Sequence, residues 1–179
     1  MIDLLPFCGK DSYGPYIATP FTRHGFTWAT NGHIAVRVPL RPDVDERDDA
    51  PHIEKVWSDA KSPLKEVRPF KLPENMMADC DICHGRGHMH ECPDCSCKCE
   101  ECHGSGMVEI INAVSVGKGF IQSRYAALMM SLPALRVEMA ADKCDRVHFD
   151  FEGGCGLVII LRYMLGIPIV ADIFKGLKS

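Results

Sequence analysis

The chain reads as α+β: a single, mainly antiparallel sheet domain with one or two short helices, interrupted by a small cysteine-rich finger. Three observations predict this. Short runs of strand-like residues outnumber helical patterns on both sides of the finger. Asn31-Gly32 separates two such runs, Phe26 to Ala29 and Ile34 to Leu40. Seven of the ten cysteines crowd between Asp79 and Gly106, framed by two octets of the form Cys-x-x-Cys-x-Gly-x-Gly.

The runs on the N-terminal side come in order. Tyr16 to Pro20 predicts a strand, and Asn-Gly between the next two runs predicts a hairpin with a type I′ turn. Arg41 to Ala50 carries Asp43, Asp45, Glu46, Asp48 and Asp49, and reads as a solvated loop because no glycine-turned calcium motif accompanies the acids. His52 to Ala60 predicts a short helix burying Ile53, Val56 and Trp57. Glu66 to Leu72 reads as an extended entry to the finger.

Beyond the finger, Met107 to Val116 and Gly119 to Gln122 predict strands. Ser123 stands as the N-cap of a helix that runs to Leu132 and stops at Pro133, with Tyr125, Leu128, Met129 and Leu132 on its buried face. Leu135 to Met139, Arg146 to Phe151 and Gly156 to Arg162 predict three further strands, the last two joined by a turn at Glu152-Gly153-Gly154. The apolar run Leu157 to Leu161 predicts a central strand buried on both faces. Gly166 to Ser179 reads as an edge strand or a tail. Residues 1–78 and 107–179 thus form one discontinuous domain, and residues 79–106 the insertion.

Two residues between cysteines allow both thiolates to reach one ion, and two such pairs complete a tetrahedral four-sulfur shell. Fifteen residues separate Cys83 from Cys99, within the range for paired Cys-x-x-Cys zinc sites. The glycines permit positive φ, so the backbone can turn N–H groups towards sulfur. Disulfides and a redox pair are the competing readings. The start of the chain, Met1 to Phe7, lacks the basic, apolar pattern of an export signal, which favours a reducing cytoplasm and metal ligation. A redox pair opens a helix, and a glycine after each pair opposes one. Zinc on Cys80, Cys83, Cys99 and Cys102 is therefore the reading adopted.

Cys92, Cys95 and Cys97 with one histidine offer a second, Cys₃His zinc site. His90 is the preferred fourth ligand and His88 a near equal; the competing reading is a solvated loop around a single zinc.

The octets resemble the cysteine-rich zinc domain of DnaJ-type co-chaperones. That resemblance implies that the outer cysteines share one zinc and the inner ones another, and that the finger serves protein contact or acts as a structural clip. It covers about residues 79–107. The chain has two full repeats where that family has four, and no His-Pro-Asp tripeptide of a J-domain.

The flanks carry a second resemblance. Phe26-Thr27-Trp28-Ala29-Thr30-Asn31-Gly32-His33 is similar to the Ala-Thr-Asp-Gly-His hairpin of bacterial sliding-clamp domains, the processivity factors of DNA polymerases. A short helix around Tyr125 followed by three strands looks like the remainder of one such domain. The combination points to small phage or prophage proteins acting in a bacterial or infected-host cytoplasm. Asn31 stands where the clamp has aspartate, the chain has room for one clamp domain of three, and the helix bears only Arg124 as a base.

Charge bears on the partner. From Cys80 to Gly106, five acids (Asp81, Glu91, Asp94, Glu100, Glu101) face two bases (Arg86, Lys98), and the whole chain carries a net charge of −4. A phosphate backbone is bound by lysine and arginine, so this finger is matched to protein rather than nucleic acid. No apolar run is long enough to cross a bilayer as a helix.

Catalysis is not expected. Four thiolates close a zinc shell, whereas a catalytic zinc keeps a position for water. His90-Glu91-Cys92-Pro93-Asp94-Cys95 echoes the zinc deaminase signature, but its spacing fails. His24, His33 and His148 are isolated, and Cys8, Cys144 and Cys155 read as reduced, partly buried thiols. The expectation is a non-enzymatic zinc-binding protein that contacts replication or host proteins through its finger. The alternative is a DNA-associated processivity factor acting as an oligomer.

Overall fold

The computed structural model describes residues 1–9, 15–55, 57, 60, 62–89, 97–140, 145–162 and 166–177. Its thirteen strands form three sheets, mostly antiparallel, with one α-helix and short 3-10 turns among the described residues.

The largest sheet has seven strands. In chain order they are β1 (Phe21–Arg23), β2 (Phe26–Thr30), β3 (Ile34–Pro39), β4 (Leu64–Glu66), β9 (Arg136–Glu138), β10 (Arg146–Phe151) and β11 (Gly154–Ile159), and they lie in the order β1-β2-β3-β11-β10-β9-β4. A four-stranded sheet is built from β7 (Ala113–Val116), β8 (Gly119–Gln122), β12 (Ile169–Asp172) and β13 (Gly176–Leu177), with β12 parallel to β7. Helix α1 (Ser123–Met130) follows β8 directly. The remaining pair, β5 (Met76–Asp79) and β6 (Met107–Ile110), is a two-stranded ribbon whose open end carries the finger.

Alternation along the strands sorts side chains to the two faces of the large sheet. Ala29, Val36, Val38, Val137, Val147, Phe149 and Val158 face a core shared with Val114, Val116 and Ile121 of the smaller sheet and with Tyr125, Ala126 and Met129 of α1. The opposite face gathers Phe21, Trp28, Ala35, Ala50, Ile53 and Leu157, with Trp57 against them. Central strand β11 thus buries Val158 on one side and Leu157 on the other, as its apolar run predicts. Burial ends there, because Ile159 is exposed and Ile160 and Leu161 lie past the strand. Gly154 and Gly156 leave room on this strand for aromatic rings. Side chains there would collide with the rings of Phe151 and Phe149, their direct cross-strand partners.

Several local expectations are corrected. The β2–β3 hairpin is present, but its turn is not type I′, which needs two consecutive positive φ angles. Only Gly32 has one, at +87°. Asn31 instead accepts from the N–H groups of His33 and Ile34 through Oδ1 (3.0 and 3.1 Å), making an Asx turn. The first strand begins at Phe21, and Pro15–Ile17 is a 3-10 turn where Tyr16 to Pro20 read as a strand. The helix predicted at His52 to Ala60 is a 3-10 turn at Ile53–Lys55, while Val56, Ser58 and Asp59 fall outside the described residues. The run from Met107 to Val116 splits into β6 and β7, because the first half serves the ribbon and the second the four-stranded sheet.

Ser123 does not cap α1. It is the first helical residue, and its hydroxyl donates to Asn75 Oδ1 (3.1 Å). The helix ends at Met130, two residues before Leu132, which is nonetheless buried. Beyond Gly166 the chain forms two strands, β12 and β13.

The face assignment is testable by chemical denaturation. Met129→Ala opens a cavity in the shared core and is expected to cost about 2–5 kcal/mol. Ile159→Ala, on an exposed side chain, is expected to stay within about 0.5 kcal/mol of the parent.

Candidate metal centre

The root of the ribbon is fixed to the start of α1. Asn75 accepts from Ser123 Oγ and donates through Nδ2 to Glu109 (2.8 Å), and Asn112 donates through its side chain to the Glu74 carbonyl (3.4 Å). The Ser123 N–H in turn donates to the Asn112 carbonyl (2.8 Å). From this root β5 leads into the first octet and the second octet leads back into β6.

The two octets fold alike. His84 and His103 both take φ near +51°, and each is followed by a glycine with positive φ, Gly85 and Gly104. Gly85 N–H donates to the Cys80 carbonyl and Gly104 N–H to that of Cys99 (3.3 and 3.1 Å). Gly87 N–H then donates to Cys83 Sγ, and Gly106 N–H to Cys102 Sγ, both at 3.2 Å. The pairing around the octets repeats as well. Asp79 faces Met107 across the ribbon, and His88 faces Lys98 in the matching bridge at the other end. The finger is therefore a pseudo-two-fold object, and its approximate symmetry follows from the repeated octet.

Two glycines are fixed by contact as well as by φ. A Cβ on Gly87 would lie 2.4 Å from the Gly104 carbonyl oxygen, and one on Gly106 would lie 2.2 Å from that of Gly85. Each knuckle thus seats its last glycine against the other's backbone. Cys80 N–H donates to the Gly106 carbonyl and Cys99 N–H to that of Gly87 (2.8 and 2.9 Å), closing the reciprocal contact.

This packing gathers the four outer thiols. The Sγ atoms of Cys80, Cys83, Cys99 and Cys102 all lie within 4.8 Å of one another, and all four residues are buried. Cys80 and Cys99 are 3.8 Å apart and Cys83 and Cys102 3.7 Å apart at sulfur. Ligands about 2.3 Å from a tetrahedral zinc stand about 3.8 Å from one another, so the set fits such an ion. These distances also exceed the roughly 2.05 Å of a disulfide. The four cysteines are free thiols.

The sulfurs are shielded from water by a thin layer of backbone. Burial works to raise the Cys102 thiol, but N–H donation from Gly106 and Gly104, joined by hydrogen bonds with the Cys83 and Cys99 thiols, outweighs it and holds the pKa down at about 7. At Cys99 a backbone N–H from Cys102 pulls downwards, yet burial and hydrogen bonds to the Cys102 and Cys80 sulfurs prevail and push it up to about 11. Without a cation the four thiols share protons unevenly. A divalent ion replaces those protons and balances the thiolate charge.

The second predicted site is only partly in view. His90, Cys92 and Cys95 lie outside the described residues, whereas Cys97 and His88 are described and exposed. Among the described residues no other group of three or more potential ligands converges.

The other cysteines and histidines fall into local environments. Cys8 is half-buried, and burial followed by the nearby Asp3 charge pushes its thiol up to about 11. Cys155, also half-buried, accepts from Arg37 Nε (3.2 Å); Cys144 lies outside the described residues. His24 lies near Glu54, and His33 stacks on Tyr125. Sequence reasoning missed two features. His148 Nδ1 lies 2.7 Å from Glu138 Oε2 in a buried pair, and Ser62 donates to the same carboxylate. Arg37 lies over the rings of Phe26 and Trp57 on the far face of the large sheet. The alternation of β9 and β10 foreshadows that Glu138 and His148 share a face; their pairing needs the register Asp150↔Arg136.

Compared with known proteins, the chain matches no family model, no curated protein and no solved structure.

Two outcomes follow for metal retention. Gly87→Ala and Gly106→Ala should each weaken zinc binding by at least about tenfold in chelator competition, since the knuckles must separate to admit a methyl group. Zinc should also be lost as pH falls from neutrality into the acid range, because protons compete with the ion for the four thiolates. A chromophoric zinc indicator followed through that range reads the release directly.

Proposed function

We propose that this is a non-enzymatic zinc-binding interaction protein whose finger, held by Cys80, Cys83, Cys99 and Cys102, presents a docking surface to another protein. The observation that carries this reading is the convergence of four buried thiols within 4.8 Å of one another. Four sulfurs satisfy zinc completely, which is the pattern of a structural ion, and leave no position for a reacting water. The reading also draws on surface charge. Asp81, Glu100 and Glu101 are exposed on the finger, and neither the finger nor the ribbon offers a basic stripe for phosphates.

On this reading the seven- and four-stranded sheets form the body on which the finger is mounted, and the clamp-like hairpin supplies its architecture rather than a DNA-encircling activity. Contact with replication or host proteins in a phage setting is the biological context proposed. No helix among the described residues is long and apolar enough to span a membrane.

The test compares partner capture by the full chain before and after surface changes on the finger. Asp81→Lys, Glu100→Lys and Glu101→Lys together should abolish capture of a protein that the parent retains, with zinc content unchanged. Equal capture by both would refute a finger-mediated contact. Salt-sensitive retention on DNA by the parent would favour the processivity alternative instead. A separate expectation concerns folding. Cys80→Ser or Cys102→Ser should unfold the finger and leave the sheet signal in circular dichroism intact, because the metal supplies the finger's own folding energy.

A further inference from the structure

One face of the β5–β6 ribbon carries exposed apolar and acidic side chains together. Pairing places Met77 opposite Glu109 and Asp79 opposite Met107, so all four side chains share one face. All four are exposed, Met77 by 56% and Met107 by 36%. The other face turns Val108 towards the cysteine cluster and holds Ala78 and Ile110 half-buried, with Met76 exposed at its root end. On the exposed face, apolar and acidic side chains alternate along each strand and across the pair, giving a diagonal pattern of two methionines and two carboxylates.

That pattern specifies an occupant. A long cationic side chain can lay its methylenes on a methionine while its charged end reaches a neighbouring carboxylate. Methionine adapts its shape to varied apolar contacts. Among the described residues no ion pair joins a cation to Asp79 or Glu109. Arg86 Nε donates to the Cys83 carbonyl, and the Lys98 methylenes approach Gly104 at the far end of the finger. Glu109 accepts from Asn75 Nδ2, a neutral donor that leaves its charge in place. The acids of the adjoining knuckles, Asp81, Glu100 and Glu101, extend the negative field around this face.

We infer that the Met77, Asp79, Met107 and Glu109 face of the ribbon docks a basic amphipathic segment of a partner protein, one in which lysine or arginine alternates with large apolar side chains. The inference rests on the finger-docking reading above and names the chemistry of the partner.

Fluorescence anisotropy with three synthetic peptides of equal length tests it on the zinc-loaded full chain. One alternates Lys with Leu, one Glu with Leu and one Lys with Ser. The Lys–Leu peptide should bind, more weakly as salt rises, and the other two at least about tenfold less well. Binding of that peptide should fall at least about tenfold in Met77→Ser/Met107→Ser, and likewise in Asp79→Asn/Glu109→Gln, with zinc content measured for each variant. Equal binding of the Glu–Leu peptide, or undiminished binding by either zinc-loaded double variant, would overturn the inference. Absence of binding to all three peptides, while finger changes still abolish partner capture, would overturn it and leave the docking reading standing. Capture insensitive to the finger would remove the docking reading itself.

Discussion

The finger depends on bringing four sulfur atoms together in a segment that has almost nothing else to bury. Among the described residues its cluster consists of Cys80, Cys83, Cys99 and Cys102, with Val108 packed against them. So small an apolar set cannot offset the entropy of ordering the surrounding backbone. Four thiolates alone repel one another. A bound divalent cation turns that repulsion into the attraction that closes the knuckles, and the N–H groups of Gly87 and Gly106 spread the remaining charge.

The shared core between the two larger sheets and α1 draws on no described residue of the finger. The hydrogen bonds at Asn75, Asn112 and Ser123 join the ribbon to the first turn of the helix and set its direction of exit. The four-thiol cluster therefore lies apart from that core, while the ribbon beside it is held at its root. A four-thiol cluster able to hold a metal, exposed acids and exposed methionines are compatible with the contact role proposed above.

Legibility in the sequence varied with the range of the interactions concerned. The four cysteines that converge and the knuckle glycines could be read because both spacing and φ requirement lie within eight consecutive residues. Strands β10 and β8 were readable to the residue for the same local reason. The hairpin at Asn31 was readable in place but not in type, since the Asx hydrogen bonds decide between turns that share the Asn-Gly signal. Ser123 was misread because its hydroxyl has a better use at Asn75, which is distant in sequence. The division of Met107 to Val116 between two sheets depends on partner strands far away in sequence, and the meeting of Glu138 with His148 on the register of two neighbouring strands.

The central claim is that a closed four-sulfur shell organises the finger. The most direct measurement is zinc-edge X-ray absorption fine structure on the full chain carrying one equivalent of metal. The account predicts a first shell of sulfur alone, at about 2.3 Å. A shell containing oxygen or nitrogen ligands from water, histidine or carboxylate would contradict it, and would place the metal somewhere other than among Cys80, Cys83, Cys99 and Cys102 or open its coordination to chemistry.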